Sequence, residues 1–562
     1  MDRVFGYLYW YCRHVLFYTE TIMIMRLLLI LTLVFGIVCR ANAKIQTTLS
    51  LRSLESLPIQ DQGRKKPFLV FADEFLLAMS GTSSLTLDGI SATAMEITTS
   101  LWLTPQNWKQ LPLVLVKNRQ LKSSCGLPAN QDRFSFETLR DNARLQLQIL
   151  EGQEARERNP DAKLLDTAKA AEDVASRMII LAALANGSLV RIVPDAAGNS
   201  WTALSPVDPR LEKLRTAYSS GNSQAFETSL SALKSSLLES APLYYKSGVS
   251  KIALELFYQK MRPFHWAWIL YLFAGFFLFP KDHRAYIVVW SLTLTGLLLQ
   301  VTGFICRVLI AGRPPVSNMY ESIIWVAFGT ILFALLFESI YRSRFFLMGA
   351  IPVATASLIL ADSQSVILSP AIHPLTAVLQ SNFWLTIHVL TITLSYAAFA
   401  LAMAIAHIAL AKTMRNQTTP NLLYGYIYRV LQVGVLLLAC GTILGGVWAN
   451  YSWGRFWNWD PKETWALITL LIYLIVLHGR IAGKWNGFGL AVGSILGFLS
   501  VLMAWYGVNF VLGTGLHSYG FGTGGFRYVI CAVSSDLLFL IFAIARNRFY
   551  RHTIITYQSA KN

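Results

Sequence analysis

From Ile427 to Arg480 the chain reads I-Y-R-V-L-Q-V-G-V-L-L-L-A-C-G-T-I-L-G-G-V-W-A-N-Y-S-W-G-R-F-W-N-W-D-P-K-E-T-W-A-L-I-T-L-L-I-Y-L-I-V-L-H-G-R. Two apolar runs, 427–447 and 463–480, flank a polar link, and each approaches the roughly 20 residues that cross a membrane as a helix. The link and its ends, Trp448 to Trp465, hold Trp448, Trp453, Trp457, Trp459 and Trp465, five of the 16 tryptophans, among Arg455, Asp460, Lys462 and Glu463. Tryptophan near a span end usually belongs to an interfacial belt. Trp448 and Trp465, at the ends of the spans, fit that reading. A belt is spread around the girth of a protein, however, whereas these rings are packed into one loop with paired charges. That arrangement suits a flat apolar platform for a flat ligand.

The same pattern recurs on both sides. Apolar spans fall near 264–280, 286–310, 319–341, 345–361, 383–411, 427–447, 463–480, 487–511 and 527–545. With 54% hydrophobic and 14% charged residues, and a mean hydropathy of +0.46, the composition is that of a polytopic membrane protein. The expected fold is an all-α bundle of eight to nine transmembrane helices in membrane lipid, with an exported, mostly helical N-terminal domain. A net charge of +17 invites a nucleic-acid reading. The cations after residue 262 instead lie mostly in short loops between spans, as membrane topology demands, so no nucleic-acid partner is expected. There is no C-x-x-C-H, so the chain is not itself a c-type cytochrome, and no Walker motif for ATP.

The N-terminal part divides further. Residues 26–43 have the basic start, apolar core and A-x-A end of a signal peptide or N-terminal anchor. Met25 precedes them, so 1–24 read as a start-site extension. Residues 44–262 form the exported domain, 263–546 the transmembrane domain with the loop 448–465, and 547–562 a cytoplasmic tail. In the exported domain 133–187 read as helical, with Phe136, Leu139, Ala143, Leu147 and Leu150 on one face. Residues 208–240 read as a helical hairpin about Ser219–Asn222, and Leu57–Phe68 as a surface loop.

Basic residues set the orientation. With the N-terminal domain outside, the inner loops and adjoining span ends carry 13 Lys and Arg after residue 262, and the outer ones five. This places the tryptophan loop and residues 44–262 outside a bacterial inner membrane, in the periplasm. Asp536 lies mid-span, where a charge is costly. Histidine placement sharpens the ligand. His388 and His517 lie on the outer side, before and after the tryptophan loop in sequence. Neutral imidazoles bind haem iron axially. Haem is flat and apolar with two propionates, which the outer cations Arg455, Lys462, Arg313 and Arg527 suit.

Four separated motifs then carry a resemblance. W-G-R-F-W-N-W-D-P-K-E-T-W-A-L is similar to the tryptophan-rich (WWD) motif of the haem-handling proteins of cytochrome c maturation, and its P-K-E-T-W continuation resembles the CcsA (ResC) branch. R-P-P-V-S-N-M-Y-E-S (313–322), W-L-T-I-H-V-L-T-I-T-L-S-Y-A-A-F (384–399) and V-N-F-V-L-G-T-G-L-H-S-Y-G-F (508–521) follow the same family's order. The resemblance covers about 285–545. It implies a cytochrome c synthase that brings haem b (iron protoporphyrin IX) to the outer face and attaches it to C-x-x-C-H thiols of apocytochrome c. The alternative is a haem transporter or chaperone delivering haem to a separate lyase. By position His388 and His517 match the family's paired iron-ligating histidines and His478 its intramembrane histidine. Trp453, Trp457, Trp459, Asp460 and Arg455 are the loop residues expected at the haem. A ResB/CcsB-like membrane partner is implied for the second intramembrane histidine.

Overall fold

The computed structural model describes residues 49–87, 90–105, 108–159, 164–194, 200–240, 242–279, 282–363, 367–375, 381–415, 421–512 and 525–559. The segment 26–43 and His517 lie outside them.

In the N-terminal region the strands form four two-stranded antiparallel sheets: β1 (Pro58–Asp61) with β2 (Arg64–Pro67), β3 (Ser84–Leu87) with β4 (Ile90–Thr93), β5 (Val114–Leu115) with β6 (Arg133–Phe134), and β7 (Arg191–Pro194) with β8 (Trp201–Ala203). The helices are α1 (Phe68–Ser80), α2 (Ala94–Leu103), α3 (Ala143–Arg158), α4 (Asp166–Ala185), α5 (Pro209–Ser219), α6 (Ser223–Ser240) and α7 (Pro242–Met261), besides shorter turns. The β3–β4 hairpin is a unit of its own; the described residues 49–83 and those from 94 onward form one compact unit.

Two local expectations are corrected here. Leu57–Phe68 is not a surface loop but the β1–β2 hairpin. Gln62 and Gly63 both take positive φ, 49° and 76°, as a two-residue type I′ turn requires. Leu57, Ile59 and Phe68 are buried, and the buried Lys66 ammonium is held by Asp61 and Glu74. The face drawn through Phe136, Leu147 and Leu150 does not exist either. A short helix, Phe136–Arg140, ends at Asp141, and Asn142 caps α3 anew through Leu145 N. That restart shifts the phase, so Leu145 and Ile149 are buried while Leu147 and Leu150 face out. The hairpin about Ser219–Asn222 is present as α5 and α6.

Asp73 of α1 accepts from Gln259 Nε2 of α7 at 2.9 Å. Burial pushes its carboxyl up to about 6, against the hydrogen bond from Gln259, which lowers it. The folded state therefore holds this proton more tightly than the unfolded chain. Its stabilising effect is complete below about pH 4 and is lost as the pH rises through 6. Asp73→Asn, which keeps an acceptor for Gln259, should stabilise this region at pH 7.5 by about 1–2 kcal/mol and change little at pH 4. Hydrogen exchange of the α1 amides in the full chain measures it.

The membrane bundle follows as α8 (Pro263–Phe276), α9 (His283–Ala311), α10 (Met319–Tyr341), α11 (Phe345–Ser363), α12 (Leu390–Met414), α13 (Asn421–Trp453), α14 (Pro461–Ile481), α15 (Gly487–Leu502) and α16 (Phe526–Ser559). Among the described residues eight helices are long and apolar enough to cross a membrane, α9 to α16 with their continuations. The expected first span, 264–280, is not one of them. As a 14-residue helix α8 reaches only about 21 Å, less than the ~30 Å hydrocarbon core. Arg262, at φ 46°, breaks it from α7. It still runs antiparallel along α9, with Phe264 at 5.2 Å from Phe304, Tyr271 donating to Gln300 at 2.7 Å, and Leu278 beside Val289. The chain thus changes ends of the bundle there, completed by the turn after Phe276.

The hub is α12, which packs on α10, α11, α13, α15 and α16. Every residue from Ser395 to Ala402 is buried, as expected of a helix apolar all round. Small residues let the backbones close in. A Cβ on Gly434 would lie 2.5 Å from the Phe399 ring, which stacks on Tyr473 of α14 at 3.8 Å. Ile287, Leu294, Leu298 and Ile305 of α9 form an exposed apolar face suited to lipid. Mid-span Asp536 is paired, its Oδ1 3.2 Å from His407 Nε2.

Candidate functional site

Alternation of the helices brings the end of α9, the starts of α10, α12 and α14, and the ends of α13 and α15 to one face, the tryptophan face. A cavity open at its mouth lies there. One wall is the chain entering α10: Val316, Ser317, Asn318, Met319 and Ser322. A second runs from Leu385 and His388 to Tyr396, and a third is Thr442, Gly445, Gly446 and Trp448 of α13. Trp457, Lys462, Glu463 and Ala466, then Trp505 and Asn509, complete it.

Two of these walls are π-helical. Leu385–Val389 carries His388, and Met503–Leu512 carries Trp505 and Asn509. A π turn inserts an extra residue and re-aims side chains, and such turns recur at functional sites. His388 Nδ1 lies 2.7 Å from the carbonyl of Gly441, so Nδ1–H donates and the ring lone pair belongs to Nε2. The ring packs edge-on to Trp448, with centroids 5.7 Å apart. It fits only because residue 445 is glycine: a Cβ there would lie 2.6 Å from His388 Cε1. Across the cavity Lys462 Nζ donates to Asn509 Oδ1 at 2.8 Å, Asn509 Nδ2 donates to Trp505 O at 2.8 Å, and Trp505 Nε1 donates to Ser322 Oγ at 3.0 Å.

The tryptophan loop is built by its helix ends. Gly454, at φ 71°, closes α13, and Pro461 opens α14. Asp460 caps α14: its carboxylate accepts from Lys462 N at 3.0 Å, while Glu463 accepts from Asp460 N at 3.3 Å and Asn458 N at 2.9 Å. Trp459 takes a left-handed φ of 56° and is 70% exposed, edge-on to Trp457 at 5.9 Å. Arg455 donates to Asn458 Oδ1 at 2.9 Å.

Of the residues singled out in sequence as ligand-binding, the structure brings His388, Trp457 and Lys462 to the cavity. Trp453, Arg455, Trp459 and Asp460 are in the adjoining loop but do not line it. His478 is at the opposite end of α14, exposed, with Nδ1 on Leu474 O at 2.8 Å. Arg313 does not face the cavity: with Arg307 it is bound to the buried Glu321. Trp448, assigned to a belt by its place at a span end, is instead a cavity wall. Tyr396, Trp505, Asn509 and the 316–322 wall were missed too. The i, i+4, i+7 spacing of Gly441, Gly445 and Trp448 was a legible signal, since it puts all three on one helix face.

The family model described as "Cytochrome C assembly protein" matches residues 316–517, a stretch that includes every described wall of the cavity. A cytochrome c biogenesis protein CcsA of Guillardia theta is 35% identical over 272 residues, covering 43% of this chain and 89% of that one. The chain belongs to the CcsA family of cytochrome c biogenesis proteins. Protein NrfI of Wolinella succinogenes is 30% identical over 493 residues, 82% of this chain and 53% of NrfI. The chain thus spans about half of NrfI, and a match of that extent reaches beyond the membrane bundle into the N-terminal region. A solved cytochrome c haem lyase CcmF overlaps half of each chain at 16% identity and a TM-score of 0.35, too low to argue from. Membership places this multi-pass chain in cytochrome c maturation.

Proposed function

We propose that the cavity holds haem b and that the chain acts as a cytochrome c synthase, joining haem to the C-x-x-C-H segment of apocytochrome c on the tryptophan face. The observation that carries this is one imidazole, fixed through Nδ1, set in an open cavity walled by Trp448, Trp457 and Trp505. The donors fit that group. A backbone carbonyl accepting from Nδ1–H is a usual support of a metal-binding histidine, since it fixes the ring and leaves Nε2 to the metal.

His388 and His517 would hold the haem iron. Trp448 and Trp457 would flank the ring, and Lys462 would meet a propionate. Trp453, Arg455, Trp459 and Asp460 would shape the rim where the apocytochrome arrives. His478, at the far end of α14, would receive haem from the inner side, with a ResB/CcsB-like partner completing that position. When bound, haem supplies two vinyl groups, across each of which a cysteine S–H adds, making one C–S and one C–H bond. The chain's own contribution is to orient ring and peptide and to exclude water. The bias of basic residues toward the opposite face supports a periplasmic tryptophan face in a bacterial inner membrane.

The test is purification of the full chain with a co-expressed apocytochrome. Haem b on the chain and covalent haem on the cytochrome are expected. Haem on the chain with no attachment unless a separate lyase is added would favour a delivery role. Lys462→Gln should weaken haem retention about tenfold, because a hydrogen bond to a charged group contributes about 1.5–3 kcal/mol. Haem dimethyl ester tests this directly. The wild type should hold it less tightly than haem, and Lys462→Gln should hold both alike.

A further inference from the structure

The cavity wall at 316–322 is latched by a side chain that does not line it. The Glu321 carboxylate, fully buried, accepts from Arg307 Nη2 at 2.7 Å through Oε1. Through Oε2 it accepts from Arg313 Nη1 at 3.1 Å, from Ser317 N at 2.9 Å and from Ser317 Oγ at 2.8 Å. Two guanidiniums on one carboxylate are a costly thing to bury unless their other donors are also satisfied. One further nitrogen of each guanidinium is held by a single loop, 367–375. Arg307 Nη1 donates to Pro370 O at 3.0 Å and Arg313 Nη2 to His373 O at 3.1 Å.

The same loop is gripped from the other side. Arg64, on β2 of the N-terminal region, donates through Nε to Ile372 O at 3.0 Å. Its Nη1 is tied to Glu255 of α7 at 2.7 Å. Tyr258, one turn further along α7, accepts from Arg307 Nη1 at 3.1 Å. Three arginines, one from the N-terminal region and two from the end of α9 and the link after it, therefore hold three carbonyls within four residues. The loop's own side chains Leu368, Ala371 and Ile372 are buried. Hydrogen bonds from a charged donor are stronger in a desolvated place than in water. A displacement of β2 cannot be absorbed in the loop and passes to Arg307 and Arg313, then to Glu321 and the wall. From Ser322 the bond to Trp505 carries it across the cavity to the second π segment.

We propose that the N-terminal region sets the shape of the haem cavity through loop 367–375, with Arg64 and Glu321 as positioning residues at the two ends of that connection. The haem part of this rests on the function proposed above; the mechanical part does not. Arg64 is the informative residue, because it belongs to the N-terminal region and touches neither the cavity nor its walls.

The test uses the full chain in detergent with Arg64→Ala, Arg64→Lys and Glu321→Gln. Lys122→Ala is the control: Lys122 holds Ala129 O, Gln131 O and Asp132 inside the N-terminal region and makes no bond to the loop. Two readouts are taken. Hydrogen exchange at 316–322 needs no haem, and Arg64→Ala should speed it at least fivefold while Lys122→Ala leaves it within twofold. Transfer of haem to excess apomyoglobin should likewise accelerate at least fivefold in Arg64→Ala, with a high-spin fraction appearing. Arg64→Lys should lie between, and Glu321→Gln should match or exceed Arg64→Ala. If exchange at 316–322 is unchanged in Arg64→Ala, or rises as much in Lys122→Ala, the coupling is wrong. If the wild type never carries haem while exchange at 316–322 is still faster in Arg64→Ala, the coupling stands and the functional reading is overturned.

Discussion

His388→Ala should lower maturation of a co-expressed apocytochrome more than about 100-fold, since losing even a group that only orients a metal ligand costs about 10- to 100-fold in affinity. The substitution removes the one described imidazole in the cavity and the donor to the Gly441 carbonyl. It leaves a void of about the size of the ring beside Trp448. Exogenous imidazole should enter that void and restore haem retention, which separates loss of a ligand from loss of the fold. Maturation at the wild-type level in His388→Ala would remove this histidine from the chemistry.

Gly445→Ala should have an effect nearly as large without touching a ligand. The added Cβ would sit 2.6 Å from His388 Cε1, a separation no real pair of carbons keeps, so the imidazole must swing and strain its 2.7 Å bond to Gly441. A misplacement of that order costs about 10- to 100-fold in a positioned reaction. Alanine is a better helix former than glycine by about 1 kcal/mol, so α13 itself should hold. The expected result is a folded chain of unchanged yield that retains far less haem. Wild-type haem content in this variant would mean that the ring tolerates displacement and that the close approach is only packing.

Much of this was legible in the sequence, for reasons that differ residue by residue. Long apolar runs marked α9 to α16 because the membrane leaves few alternatives for backbone polar groups. The span at 264–280 looked like the others, yet ends early at Phe276; composition could not show that turns complete the crossing. His388 and Trp457 were legible because chemistry, crowding and order pointed at them together. The π turn that aims His388 was not, since the insertion has no residue signature in L-T-I-H-V. Trp448 was assigned to a belt because a tryptophan at a span end usually is one; only the neighbouring Gly441 and Gly445 reveal which face it takes. Arg313 looked like a spare cation because Glu321 lies in the same motif but its carboxylate's direction depends on the fold. In the N-terminal region the helix hairpin 208–240 was plain from its turn. The β1–β2 hairpin was missed because basic residues at 64–66 read as solvated, whereas Lys66 is buried against Asp61 and Glu74.

The most direct measurement is low-temperature electron paramagnetic resonance of the oxidised, purified full chain. A low-spin signal of two axial imidazoles in the wild type, replaced by a high-spin signal in His388→Ala and returned by added imidazole, is the expected result. A chain that purifies without haem, or whose low-spin signal is the same in His388→Ala, would contradict the placement of haem iron at this cavity.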